Sequence, residues 1–283
     1  MAQGTLTRAR LAQYVPAGHS LGTGQDRESE VLAQMSAAMK TLPSQWWFSH
    51  TSAALAWGCW TWQLQPETHI LRLSNPHIDQ GDQSVVRHWT KHLPPDDRAM
   101  LAGVPVTSLE RTVVDCARML TEPQALVIAD SALRLGADPR RMAEVVREAS
   151  GKRGVKRARL VLELADGRSE SPGETLVRWI AHFYGLPPLT PIVRVDTRGG
   201  AFEVDLAWPE LKVAVEFDGE VKFSGGEYGD PEERRRAQQA RAQMLRDAGW
   251  IVVSVTWDEL LHGHLLALRL QKVLHEARVR NGR

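Results

Sequence analysis

The sequence predicts an α/β C-terminal domain, a small mixed sheet flanked by helices, following a mainly helical α+β N-terminal domain. Beyond Leu164 the pattern runs helix, strand, strand, helix, strand, helix. Before Ala149 the recurring signal is a helical spacing of apolar residues with only a few strand-like runs. Between the two, "ASGKRGVKRAR" from Ala149 to Arg159 replaces apolar residues with Gly, Lys and Arg, which marks a boundary. The expected division is therefore 1–148, a basic linker 149–164, and 165–283.

In the first part, "SHTSAALAWGCW" from Ser49 to Trp60 reads as a helix, and "ETHILRLSNPH" as a strand running into a turn. "TSLERTVVDCARML" is a second helix, with Ser108 as N-cap and Val113, Val114, Ala117 and Leu120 at helical spacing. "PQALVIADSALRLG" is a third, ended by Gly136.

In the second part, "SESPGETLVRWIAHFYGLP" has Ser, Pro and Glu where a helix starts, and Leu176, Val177, Ile180 and Phe183 form one stripe before Gly185. Two strands follow within "FEVDLAWPELKVAVEFDGEVKF". The next helix has Asp230 as N-cap, Pro231 at its first position and Gly249 beyond its end. "WIVVSVTW" is a buried strand, and "HLLALRLQKVLHEAR" is the last helix.

Composition narrows the function classes. A chain of 283 residues with 43% hydrophobic and 24% charged residues buries a sizeable core and is not a disordered chain. No run approaches the roughly 18 apolar residues of a membrane span, and the start lacks a secretion signal, so a cytoplasmic protein is expected. Cys59 and Cys116 have neither CxxC nor CxxH spacing and read as buried thiols. The formal net charge of +1 leaves any polyanion binding to local patches. Trp46, Trp47, Trp57, Trp60 and Trp62 crowd one region and read as core or interface packing.

The strand pair is unusual for its acids. A four-residue loop Trp208 to Leu211, with Pro209 at the second position of a type I turn, sets Asp205 opposite Ala214 and Glu203 opposite Glu216. Val204, Leu206, Val213, Val215 and Phe217 then face a core, while Glu203, Asp205, Glu216 and Asp218 share the other face. Like charges facing each other on a sheet repel, so a cation is expected among them. A magnesium-type ion takes oxygen ligands, and Asp205 with Glu216 supplies a pair. Glu170 and Glu174, four apart at the start of the preceding helix, add two carboxylates. The plainer alternative is a solvated acidic sheet face.

An acid on a helix, then "D" and "ExD" on successive strands, an Arg-rich helix and a strand beginning "GW" resemble the PD-(D/E)xK restriction-endonuclease-like fold. Within it, "VDLAWPELKVAVEFDG" followed by "RAQMLRDAGWIVVSVTWDEL" is similar to the very-short-patch-repair endonuclease-like group, over about Ser169 to Leu274. The resemblance implies that Asp205 and Glu216 hold Mg2+ or Mn2+, with Glu170 or Glu174 as the helix acid. Asp218 stands where the family pattern has a lysine, and Lys222 would supply that ammonium from a shifted position or else be a surface lysine. The implied chemistry is hydrolysis of DNA phosphodiester bonds by a metal-activated water.

Further upstream, "SHTSAALAWG", "VPVTSLERTVVDCARML" and "ADSALRLG" resemble the antitoxin of the abortive-infection type IV toxin–antitoxin systems, loosely over Leu11 to Gly136. That group usually starts with a winged helix-turn-helix, of which "GTLTRARLAQYVPAG" resembles only the last strands. Lys152, Arg153 and Lys156 near the boundary, with Arg234, Arg235 and Arg241 after the acidic strands, are candidate phosphate contacts. The first functional expectation is a magnesium-dependent DNA endonuclease. The alternative is a non-catalytic antitoxin-like or regulatory protein that binds DNA or a toxin partner on a degenerate nuclease scaffold. A structural interaction module is a third reading, with the tryptophans its only support.

Overall fold

The computed structural model describes residues 24–41, 45–73, 85–219 and 231–282. The chain divides into two compact units, Met1–Gly167 and Arg168–Arg283. The start resembling a wing, together with Lys222 and Asp230, lies outside the described residues. Among the described residues no helix is long and apolar enough to cross a membrane.

The first unit runs α1 (Gly24–Thr41), β1 (Trp46–Phe48), α2 (His50–Trp57), β2 (Thr68–Arg72), β3 (Val85–Trp89), β4 (Arg98–Leu101) and β5 (Val104–Thr107). Four helices follow: α3 (Leu109–Met119), α4 (Glu122–Arg134), α5 (Pro139–Glu148) and α6 (Val155–Leu164). The strands form one mixed sheet in the order β3-β2-β1-β5-β4, with β2/β3 and β1/β5 parallel. This sheet is larger than the few strands the sequence led us to expect, because its strands are too short to display a period of two. Phe48, Ile70 and Val106 from the sheet pack with Val31 and Met35 of α1 and Leu55 of α2. Trp46 and Trp57 pack against the same cluster, the latter donating its indole N–H to the Thr107 carbonyl at 2.9 Å. Cys59 and Cys116 are buried thiols.

Ser108 caps α3 as its sequence position predicts, accepting from the Arg111 amide, and Val113, Val114 and Ala117 are fully buried. The expected linker is not one. Val155–Leu164 is a helix with Val155, Ala158 and Val161 buried, and Arg157 donates to the Met119 and Leu120 carbonyls. Its entry needs Gly154, because a Cβ there would lie 2.1 Å from the Arg118 carbonyl oxygen.

Buried charge ties these helices to the sheet. Asp97, fully buried, accepts from Arg111 at 3.1 Å and from Arg141 at 2.6 Å. Arg111 also pairs with Asp115 at 2.7 Å, so one network joins the turn before β4 to α3 and α5.

The second unit runs α7 (Pro172–Phe183), β6 (Thr190–Thr197), β7 (Gly200–Trp208), β8 (Val213–Asp218), α8 (Pro231–Asp247), β9 (Ile251–Thr256), α9 (Trp257–Leu261) and α10 (Gly263–Arg280). Its sheet order is β6-β7-β8-β9, antiparallel until the parallel β8/β9 pair, which the α8 crossover connects. β6 was not expected from the sequence; Pro191 and its edge position weaken the strand signal. Phe183, assigned to the apolar stripe of α7, is exposed at 64%, whereas Leu176, Val177 and Ile180 are buried. Val195, Val204, Ala207 and Ala214 pack with Leu245 of α8.

Replacing only Arg111 would leave Asp97 and Asp115 buried with one cation fewer. Arg111→Ala is therefore expected to destabilise the protein by about 3–5 kcal/mol, read as a lower urea midpoint; an unchanged midpoint would show that the network contributes nothing.

Candidate functional site

The strand pair brings the acids together more closely than the sequence reading proposed. Trp208 pairs with Val213, so the loop spans 209–212, one residue later than expected. Pro209–Leu211 form a 3-10 turn, and Lys212, at φ 51, closes it in the left-handed region. The register shifts by two, which preserves each residue's face. Leu206 opposes Val215, and continuing by one residue sets Asp205 beside Glu216 instead of Ala214.

Asp205 is half-buried, and its Oδ2 accepts from the Phe217 amide at 2.9 Å. Glu216, also half-buried, pairs through Oε1 with Arg241 Nη2 of α8 at 3.0 Å. The same guanidinium donates to the Glu203 carbonyl and lies over the Phe202 ring, 5.9 Å from its centroid. The expected cation is present, and it is an arginine. Arg241, read from the sequence as a phosphate contact, is paired with Glu216.

Glu174 lies at the third position of α7 and works as part of its cap. Its carboxylate accepts from the Glu170 amide at 2.8 Å and the Ser171 hydroxyl at 2.7 Å, while its own amide donates to Ser171 Oγ. Glu170 precedes the helix, so the two acids do not share a helix face. The close approach of α7 to β8 depends on Gly173, where a Cβ would lie 2.1 Å from Phe217 Cε1. Asp218, at the end of β8, is exposed.

Burial pushes three of these carboxyls up. For Asp205 the Phe217 amide and Arg241 oppose the shift, and Glu170 adds to it. For Glu216 Arg241 opposes it and Asp205 adds to it. For Glu174 the Glu170 amide and Ser171 oppose it, whereas Asp205 and Glu170 add to it. Glu170, Glu174, Asp205 and Glu216 thus form one electrostatic neighbourhood.

As arranged, these acids do not fit a magnesium-type ion. Glu174, Asp205 and Glu216 are each engaged by protein donors, and among the described residues no three carboxylates bring ligand atoms within 4.8 Å of one another.

The remaining basic candidates separate. Lys152 and Arg153, in the turn before α6, and Lys156, in its first turn, are exposed and belong to the first unit. Arg234 and Arg235 lie near the start of α8. The pairing of Arg241 with Glu216 was not read from the sequence; the signal for it was that facing acids need a cation and the next helix is rich in arginine.

Because burial raises the Asp205 pKa, the folded protein holds that proton more tightly than the unfolded chain, and this contribution to stability is lost as pH rises through the window between the two pKa values. Asp205→Asn keeps an acceptor for the Phe217 amide without the charge. It is expected to melt higher than the parent at pH 7, with the gap narrowing as pH falls and the parent's carboxyl takes up its proton. Melts across pH check this; a gap independent of pH would contradict it.

A model of the AbiEi antitoxin C-terminal domain family matches residues 53–164, from within α2 to the end of α6. Two curated proteins of Mycobacterium tuberculosis are similar: uncharacterized protein MT2308 of strain CDC 1551 / Oshkosh and uncharacterized protein Rv2248 of strain ATCC 25618 / H37Rv. Each is 33% identical over 182 residues, which is 63% of this chain and 65% of the relative, so the match spans just under two thirds of their length. No solved structure matches. The first unit is thus similar to the C-terminal domain of the AbiEi antitoxin.

Proposed function

We propose that this chain is an antitoxin-like regulatory protein that acts by binding a toxin protein and DNA. The observation that carries this reading is the antitoxin-domain match over 53–164, which covers four helices of the first unit and most of its sheet. The second unit fits a scaffold in this reading, since Arg241 already supplies the cation that the Asp205–Glu216 pair requires. Lys152, Arg153 and Lys156 are the proposed phosphate contacts, each exposed and able to reach a polyanion without breaking an ion pair.

A second reading, metal-dependent DNA hydrolysis by the second unit, is supported by the adjacency of Asp205 to Glu216 and by the strand order around them. In that reading Arg241 would have to leave Glu216 before Mg2+ or Mn2+ entered, and Lys222 would have to supply the ammonium from a shifted position because Asp218 stands at the lysine's place. The ion pair makes this the less economical account.

Co-expression with a growth-arresting protein of the toxin class tests the first reading: growth should be restored by the parent and equally by Asp205→Ala. Mobility shifts on DNA test the contacts. Replacing Lys152, Arg153 and Lys156 by Ala should weaken binding and flatten the log-affinity against log-salt slope by about one unit per residue. Rescue that depends on Asp205, or an unchanged slope, would contradict the proposal.

A further inference from the structure

The first unit contains a second cluster of chemically active groups, contributed by three separate elements. His50 opens α2, His69 lies on β2 and His88 on β3. The parallel β2/β3 register pairs Leu71 with His88, so His69 and His88 sit diagonally on one face of the sheet. His69 Nδ1 and His88 Nε2 are 3.0 Å apart, and the His50 ring stacks on His88 with centroids 3.8 Å apart. His50 and His69 are buried, and His88 is half-buried.

Their placement is fixed by the backbone. The Ser49 amide donates to the His69 carbonyl at 3.0 Å, and the His69 amide donates to Ser52 Oγ at 2.8 Å, so the start of α2 is tied to β2. His50 itself has φ 50, a left-handed conformation that a non-glycine residue adopts only at a cost and that is found preferentially at functional sites. This conformation helps carry the imidazole onto His88. His50 Nδ1 faces Ser49 Oγ at 3.0 Å, which leaves Nε2 as its ligand atom.

We propose that His50, His69 and His88 form a binding site for one divalent transition-metal ion of the zinc class. One ligand atom from each residue lies within 4.8 Å of the other two. Metal–nitrogen bonds of about 2.0–2.1 Å in tetrahedral geometry place ligand nitrogens roughly 3.4 Å apart, a gap that small side-chain rotations close. Imidazole binds a metal in its neutral form, through a ring nitrogen that carries no proton. Glu67 Oε2 stands 3.8 Å from His69 Nε2, on the side away from His88, where an outer carboxylate orients a ligating histidine. Arg111 and Arg118, the guanidinium groups felt at His50, are both paired with Asp115.

His69 also borders a cavity. This cavity, of about 260 Å³, is lined by His69, Glu67 and Thr51, and the Thr51 hydroxyl, buried at 3% exposure, has no hydrogen-bond partner among the described residues. Three protein ligands with a fourth position open to a solvent or substrate oxygen is the arrangement of ligand-exchanging zinc sites, as opposed to closed structural ones.

The test uses the untagged full chain, stripped with chelator, desalted and titrated with Co2+ and then Zn2+. One equivalent of Co2+ should bind with the visible bands of a four-coordinate ion, Zn2+ should displace it, and melting should shift upward. His88→Ala, the least buried of the three, should lose the bands while Asp205→Ala keeps them. X-ray absorption on the zinc-loaded parent should count three imidazole ligands, which decides the matter even if a variant fails to fold. No uptake by the stripped parent, fewer than three imidazoles, or bands unchanged in a folded His88→Ala would overturn the proposal.

Discussion

A carboxylate withdrawn from water has to be given a cation or a set of N–H donors, and both units are organised around that requirement. In the first, Asp97 and Asp115 are almost wholly buried, and Arg111 and Arg141 reach them from α3 and α5. In the second, Glu174 closes the N-terminus of α7, Asp205 takes the Phe217 amide, and Glu216 takes Arg241. In every case the partner comes from the chain itself. That is the physical ground for treating the acidic strand pair first as architecture: the charge that would attract an external ion is already answered.

Much of the architecture was legible from local chemistry. Ser108 and Ser171 cap the helices their positions announce, and the acid-bearing strands form the hairpin that Pro209 implies. The loop came one residue late because Trp208 stays in the ladder: its ring is buried and its indole N–H donates to the Pro187 carbonyl. A tryptophan beside a proline looks like a turn until that long-range partner is known. The short strands of the first sheet carry no readable period, and β6 is masked by Pro191.

The candidate sites were legible to different degrees for a related reason. Acids on alternate positions of two consecutive strands announce themselves, so Asp205 and Glu216 could be paired from sequence even with the register displaced. Arg241 could not be assigned, since a charged helix face looks the same whether it meets phosphates or a neighbouring carboxylate. His50, His69 and His88 have no ligand-like spacing; only the sheet register and the left-handed start of α2 bring them together. His69 and His88 fall inside the segment similar to the antitoxin domain, and His50 lies just before it.

The proposed reading treats the second unit as a scaffold, with Arg241 paired to Glu216. Supercoiled and single-stranded DNA incubated with the purified full chain, in Mg2+, in Mn2+ and in chelator, tests it most directly. The expected result is intact DNA in all three, with the parent and with Arg241→Ala alike. Metal-dependent nicking by the parent that disappears in Asp205→Ala would contradict it and return the Asp205–Glu216 pair to catalysis.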